Sequence, residues 1–132
     1  MNRATLSALL SSHAVSYQMT GSRYICNPPP MDTDEDYIVL MCNPPVGDTL
    51  SALVESGFQM NTDPELYNGC PDFYAFRNGQ FNVICVDEPA MYQRWVDATE
   101  QAKVLNLLAK HDRIALFQKV LYGIDVSAEL AF

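Results

Sequence analysis

Two aspartates at the start of an apolar segment are the residues of this sequence best suited to metal chemistry. Asp34 and Asp36 lead into residues 37–41, a β-branched and aromatic run that predicts a buried strand. Side chains alternate along a strand that rises roughly 3.3 Å per residue, so positions two apart project from one face about 6–7 Å apart. Both carboxylates can therefore converge on one site. Such hard oxygen ligands suit Mg²⁺ bound together with substrate phosphates.

A glycine-serine corner upstream has the chemistry to hold those phosphates. Gly21, Ser22 and Arg23 follow residues 15–19, which alternate apolar and polar as a half-buried strand does. Glycine permits close backbone approach, backbone amides and a hydroxyl hold phosphate oxygens, and arginine adds positive charge. Without this corner, the two aspartates are equally compatible with a solvated acidic turn. The corner therefore favours the metal site.

The hydrophobic pattern predicts an α/β (α+β) protein, with a mixed sheet and helices packed against it. Asn78-Gly79 is the strongest hairpin signal in the chain. We predict four helices, over residues 3–12, over 49–56, from Pro89 onward and from Asp112 to Gly123. We predict five strands, over residues 15–19, 37–41, 58–60, 72–77 and 80–86. The predicted buried positions on the three later helices are Leu50, Leu53, Val54, Met91, Trp95, Ala98, Ala102, Leu105, Ile114, Phe117 and Leu121.

Length and composition indicate one domain over residues 1–132. We expect a sheet core over about 14–88, C-terminal helices over about 89–123 and a less ordered tail over 124–132. No apolar run approaches 18 residues, so we expect a cytoplasmic protein with no membrane partner. The chain has sixteen acidic and eight basic residues, which give it a net charge of −8. This negative charge argues against non-specific binding to duplex DNA. The four cysteines are widely spaced, which favours reduced thiols in the core.

The glycine-serine corner and the two acids together resemble the active-site motif of the polymerase-beta-like nucleotidyltransferase superfamily. In that motif Gly-Ser is followed by roughly nine to thirteen residues and then by Asp-x-Asp at the start of a strand; Gly21-Ser22 and Asp34-Glu35-Asp36 match this pattern. The segments FNVICVDEPAMYQRW and ATEQAKVLNLLAKHDRIALFQKVLYG also resemble small nucleotidyltransferase-like proteins encoded by bacteriophages. The resemblance covers most of residues 21–123.

This resemblance implies a minimal nucleotidyltransferase fold that transfers a nucleoside monophosphate from an NTP to an acceptor hydroxyl. The acceptor would be a protein, a small molecule or an RNA end, and the acidic surface favours the first two. By the same resemblance Asp34 and Asp36 are catalytic and hold Mg²⁺ or Mn²⁺, while Gly21, Ser22 and Arg23 bind the nucleotide. A phage-encoded protein of this kind would act in the host cytoplasm.

This sequence departs from the superfamily pattern at the third acidic position. In many members a carboxylate on a neighbouring strand serves as general base, whereas the matching position here holds Asn82. Three alternatives remain: Asp87 or Glu88 substitutes, two aspartates suffice with a base from solvent, or transfer activity is lost. Asn82 is equally compatible with a hydrogen-bonded residue beside the hairpin turn.

Two further features bear on this choice. Glu35 stands where the superfamily often has an apolar residue, so we expect its face of the strand to be wet. The C-terminal helices carry a group of basic residues: Lys103, Lys110, His111, Arg113 and Lys119. Such a group predicts either a solvated face or a surface that contacts RNA phosphates. The rival function is a phage protein that keeps the fold and inhibits a host factor by binding it, favoured by Asn82 and the negative charge.

Overall fold

The computed structural model describes residues 1–30, 34–41, 47–60 and 73–123. The elements in chain order are α1 (Arg3–His13), β1 (Ala14–Thr20), α2 (Ser22–Ile25), β2 (Glu35–Met41), α3 (Gly47–Glu55), β3 (Gln59–Met60), β4 (Tyr74–Asn78), β5 (Phe81–Val86), α4 (Pro89–Leu105) and α5 (Lys110–Tyr122). The predicted tail over 124–132 lies outside the described residues. Within the described ranges, no helix has the length and apolar character needed to cross a bilayer.

The strands form one mixed sheet in the order β1-β2-β5-β4-β3. β2 and β5 are parallel, and the other three pairs are antiparallel. Every residue of β5 is buried, as its continuous apolar sequence predicts for a strand covered on both faces. The protein is therefore an α+β protein with a mixed sheet and helices packed against it, as predicted, and the helices lie on both sides of the sheet.

The alternation of side chains along β2 and β5 divides the core into two layers. Even-numbered residues such as Ile38 and Ile84 pack under α4 and α5 around Trp95. Odd-numbered residues of the same strands pack on the other face with Leu6 and Leu10 of α1. Trp95 is fully buried, so it is a core residue as predicted.

Several predicted details are wrong. Val54, Leu105 and Ile114 are 57%, 62% and 41% exposed. On α3 the buried side is formed by Ala52 and Leu53, which turns Val54 outward, while Leu105 lies in the last turn of α4. The buried thiols of two described cysteines, Cys26 and Cys85, are not in disulfides, as predicted; Cys42 and Cys70 lie outside the described residues.

The hairpin loop is one residue later than predicted. Asn78 pairs with Phe81, so the two loop residues are Gly79 and Gln80. Gly79 has φ of +60°, the left-handed conformation that two-residue hairpin turns require at their first central position. This shift changes every cross-strand partner of β4.

The expectation of a wet face at Glu35 is also wrong. Glu35 is 3% exposed, and its carboxylate accepts hydrogen bonds from the guanidinium of Arg3 on α1. Because α1 packs over the odd-numbered face of β2, it covers Glu35 and supplies the positive charge that a buried carboxylate needs. The opposite face of β2 is then the one available for a site.

Candidate functional site

A row of polar residues crosses one end of the sheet on the face packed by α4 and α5. Thr20 of β1 pairs with Asp36 of β2, Asp36 with Asn82 of β5, and Asn82 with Arg77 of β4. Directly opposed residues project from the same face, so these four side chains form a continuous polar row where the rest of that face is apolar. The polar row comes from four strands at one level of the sheet.

The polar row forms one wall of a cavity of about 230 Å³. Gly21 and Ser22, which follow β1, also line it, and so does Asp34, which precedes β2. The inner face of α5 forms the opposite wall. The sequence-predicted corner and both predicted acids therefore line the same pocket, together with Asn82.

The corner and the second acid are in direct contact. Gly21 has φ of +76° and ψ of −179°, a conformation essentially restricted to glycine. A Cβ added to Gly21 would lie 2.0 Å from Oδ2 of Asp36, so the carboxylate occupies the space that any other residue would fill. The chain then turns into the short helix α2, whose four residues are too few to give a detectable helical pattern.

Burial and one hydrogen bond set the electrostatics of Asp36. Burial raises the pKa of Asp36 to about 6; the amide of Asn82, which donates to Oδ1 at 3.2 Å, opposes this rise. The charge of nearby Asp34 raises the pKa further, and Arg77 lowers it. The ionised form of Asp36 is therefore short of positive charge, which a bound cation would supply.

Asp34 has a different environment. Its carboxylate pairs with the guanidinium of Arg77 at 2.7 Å, and both side chains are about two-fifths exposed. Sequence reasoning did not single out Arg77. With a loop at Asn78-Gly79, Ala75 would lie opposite Asn82, and the one-residue shift of the hairpin is what brings Arg77 there. The correct turn position would have revealed it.

Two basic residues of α5 line the pocket on the side opposite the polar row. Lys110 is exposed, while Arg113 donates to the carbonyls of Leu107 and Leu108 at 2.9 and 2.7 Å and so also braces the turn between α4 and α5. Of the other predicted basic residues, Lys103 lies over the ring of Tyr24, 3.9 Å from its centre. The positive bias of the C-terminal helices thus divides between the pocket and the outer surface.

Two of the other predicted residues lie away from the pocket wall. Arg23 is half-buried in α2, and the pocket wall that the described residues form does not include it. Asp87 follows β5 at its far end, five residues beyond Asn82, which corresponds to about 16 Å along the strand. Asp87 is exposed there, and Glu88 is the residue before α4 and is also exposed. The structure therefore does not bring either acid to Asp36.

The donor set fits a cation that is shared with substrate phosphates. Asp34 and Asp36 offer carboxylates and Ser22 a hydroxyl, and Oδ1 of Asn82 is buried with no hydrogen-bond partner. In the part of the chain that the structure describes, no three His, Cys, Asp or Glu residues gather as a metal-binding group. Mg²⁺ is commonly held by one or two carboxylates plus phosphates and water rather than by a closed protein cage. The residues present suit that kind of binding.

Fold and pocket together define an α+β protein with a mixed five-stranded sheet and a pocket that has acids on the sheet and bases on a helix. Comparison with known proteins finds no matching family model, no matching curated protein and no matching solved structure. The residues of this chain and their geometry therefore carry the functional inference.

Proposed function

We propose that the protein transfers a nucleoside monophosphate from an NTP to an acceptor hydroxyl, using Mg²⁺ or Mn²⁺, on a minimal nucleotidyltransferase fold. One observation carries the proposal: the backbone of Gly21 lies against the carboxylate of Asp36 in a pocket that also contains Ser22 and Asp34. The parts of the motif are separated by a dozen residues in sequence and meet at one point. A solvated acidic turn would not need that contact.

In this proposal each residue has a defined task. Asp34 and Asp36 hold the cation, which when bound neutralises phosphate charge and favours in-line displacement at the α-phosphorus. Ser22 and the backbone amides of the corner bind phosphate oxygens, and Lys110 adds positive charge from α5. Asn82 donates to Asp36 and fixes the orientation of that carboxylate. The acceptor oxygen bonds to the α-phosphorus, the bond from the α-phosphorus to the bridging oxygen breaks, and pyrophosphate leaves. Since Asn82 cannot accept a proton, the proton of the acceptor hydroxyl leaves to solvent.

The ion pair between Asp34 and Arg77 is compatible with a cation site. Both groups are about two-fifths exposed, and exposed pairs of this kind contribute only about 0–1 kcal/mol. Asp34 can therefore exchange its contact with Arg77 for a contact with a bound cation at little cost. The partly buried Asp36, with its raised pKa, gains more from the same cation.

A second candidate function is binding without turnover, by which the protein would occupy and inhibit a host factor. The observation that favours it is that both acids already have protein partners: Asp36 accepts a hydrogen bond from Asn82, and Asp34 forms an ion pair with Arg77. The strand position where a general base is expected holds that same asparagine. A net charge of −8 would suit competition for a basic, nucleic-acid-binding partner.

Transfer of label from α-³²P NTPs in Mn²⁺ separates these candidates. Asp36→Asn and Asp34→Asn test the acids, and Asp97→Asn, an exposed acid on α4, is the matched control. Nucleotidyl transfer predicts labelled product with wild type and with Asp97→Asn, and a loss of at least a hundredfold with Asp36→Asn. Labelled product at the wild-type rate from Asp36→Asn would exclude the proposed site. No labelled product from wild type, with protein, small-molecule and RNA acceptors present, would exclude nucleotidyl transfer and leave the second candidate.

A further inference from the structure

The wall of the pocket on α5 is apolar beyond its basic end. Ile114, Phe117 and Leu121 follow one another along the inner face of α5, and Ile25 of α2 also lines the cavity. Phosphates and sugar hydroxyls gain nothing from such a surface. An apolar wall is instead suited to a flat heterocyclic ring, which loses little by leaving water.

Gln118 is the one polar exception in the middle of this wall. It is 8% exposed and lines the pocket, and its side-chain amide makes no hydrogen bond to another described residue. The amide lines the open pocket, where a bound ligand can offer it a hydrogen-bonding group. Helical spacing could have revealed Gln118 from sequence, because it lies four residues after Ile114 and three before Leu121.

We propose that this wall is a nucleobase subsite and that Gln118 reads the edge of the base. The inference rests on the proposed function and names the part of the pocket that selects among nucleotides. A glutamine amide offers a carbonyl acceptor and two N–H donors in one plane, a combination that pairs with the donor-acceptor edges of bases. A base stacked along the apolar wall would present that edge to Gln118.

The distance along α5 separates the two ends of such a ligand. Lys110 and Gln118 are eight residues apart, which corresponds to about 12 Å along a helix. One elongated ligand can therefore meet positive charge at the start of α5 and an amide near its end, with the acids of the sheet on the other side. An inorganic phosphate is too small to span this distance, and a free sugar would leave the apolar surface around the amide unused.

The experiment is equilibrium binding of the four NTPs in Mn²⁺ to wild type, Gln118→Met and Gln118→Glu. Methionine keeps the length of the side chain and removes its hydrogen bonds, so we expect the ratio between the best and worst base to fall about tenfold. Glutamate accepts only, so we expect preference to move toward guanine, which presents two adjacent donors, N1–H and N2–H. Lys119→Met, an exposed neighbour, is the control and should keep the wild-type ratios.

A measurement on wild type alone covers the case in which the variants do not fold. We expect the triphosphate of purine riboside, which lacks the exocyclic amine of adenine, to bind about tenfold more weakly than ATP. Equal binding of all four NTPs and of this analogue, or base ratios that Gln118→Met leaves unchanged, would overturn the inference. If wild type binds NTPs in a manner that depends on Asp36 while the base ratios do not depend on Gln118, only the inference fails. If wild type binds no NTP, the proposed function fails with it.

Discussion

Replacing Gly21 with alanine tests the contact between the corner and the second acid. The φ of +76° and ψ of −179° cost a residue other than glycine about 1–3 kcal/mol. The new Cβ would lie 2.0 Å from Oδ2 and 2.8 Å from Cγ of Asp36, so the carboxylate must move. The hydrogen bond from Asn82 is then lost, at about 1–3 kcal/mol. We therefore expect the free energy of unfolding to fall by about 2–6 kcal/mol, measured by urea denaturation with an unchanged slope.

Gly123→Ala is the matched control for the backbone cost. Gly123 has φ of +70°, and no atom lies within 4 Å of the Cβ position, so alanine there should cost only about 1–2 kcal/mol. In an Asp36→Ala background, Gly21→Ala should cost at least about 1 kcal/mol less than in wild type, because Oδ2 and Cγ are gone. Equal costs for the two glycine variants, with no coupling to Asp36, would refute the contact.

Three other perturbations follow from the charges described above. Burial raises the pKa of Asp36 from 3.8 to about 6, above its value in the unfolded chain, so ionisation of this carboxyl opposes folding. We expect the free energy of unfolding to fall by on the order of 1–3 kcal/mol as the pH rises from 4 to 7. The urea midpoint of Asp36→Asn should not show this fall. Asn82→Asp places a second carboxyl beside Asp36, so we expect a lower thermal midpoint at pH 8 that Mn²⁺ restores. Arg3→Met removes the partner of buried Glu35, so we expect the free energy of unfolding in urea to fall by about 1–3 kcal/mol. The double variant Arg3→Met, Glu35→Met should recover most of this loss, because it leaves no unpaired charge.

The elements that sequence predicts best are those with a strong period. β5 and α4 follow from a run that is apolar except at Asn82 and from helical spacing, and both are buried where the pattern indicates except at Leu105 in the last turn of α4. Alternation along each strand tells which of its residues share a face, but β2 and β5 are apolar on both faces, so only their register brings Asp36 and Asn82 together. The pairing of the two central polar residues of the site therefore comes from the structure.

Features that depend on which strands and helices meet could not be predicted from local sequence patterns. The hairpin signal at Asn78-Gly79 is correct to one residue, but one residue decides whether Ala75 or Arg77 lies opposite Asn82. Burial of Glu35 depends on α1, which lies more than twenty residues away in sequence and carries Arg3 across the sheet. Both cases need knowledge of which elements meet, and local patterns do not contain it.

The most direct test of the central claim is metal-dependent nucleotide binding by Asp36→Asn compared with Asp87→Asn. Equilibrium dialysis of labelled NTP, with and without Mn²⁺, reports whether the acid beside Gly21 holds the cation and the phosphates. We expect wild type and Asp87→Asn to bind NTP only when Mn²⁺ is present, because Asp87 lies exposed at the far end of β5. We expect Asp36→Asn to bind at least tenfold more weakly. Wild-type affinity in Asp36→Asn, or the same affinity without metal, would contradict the account.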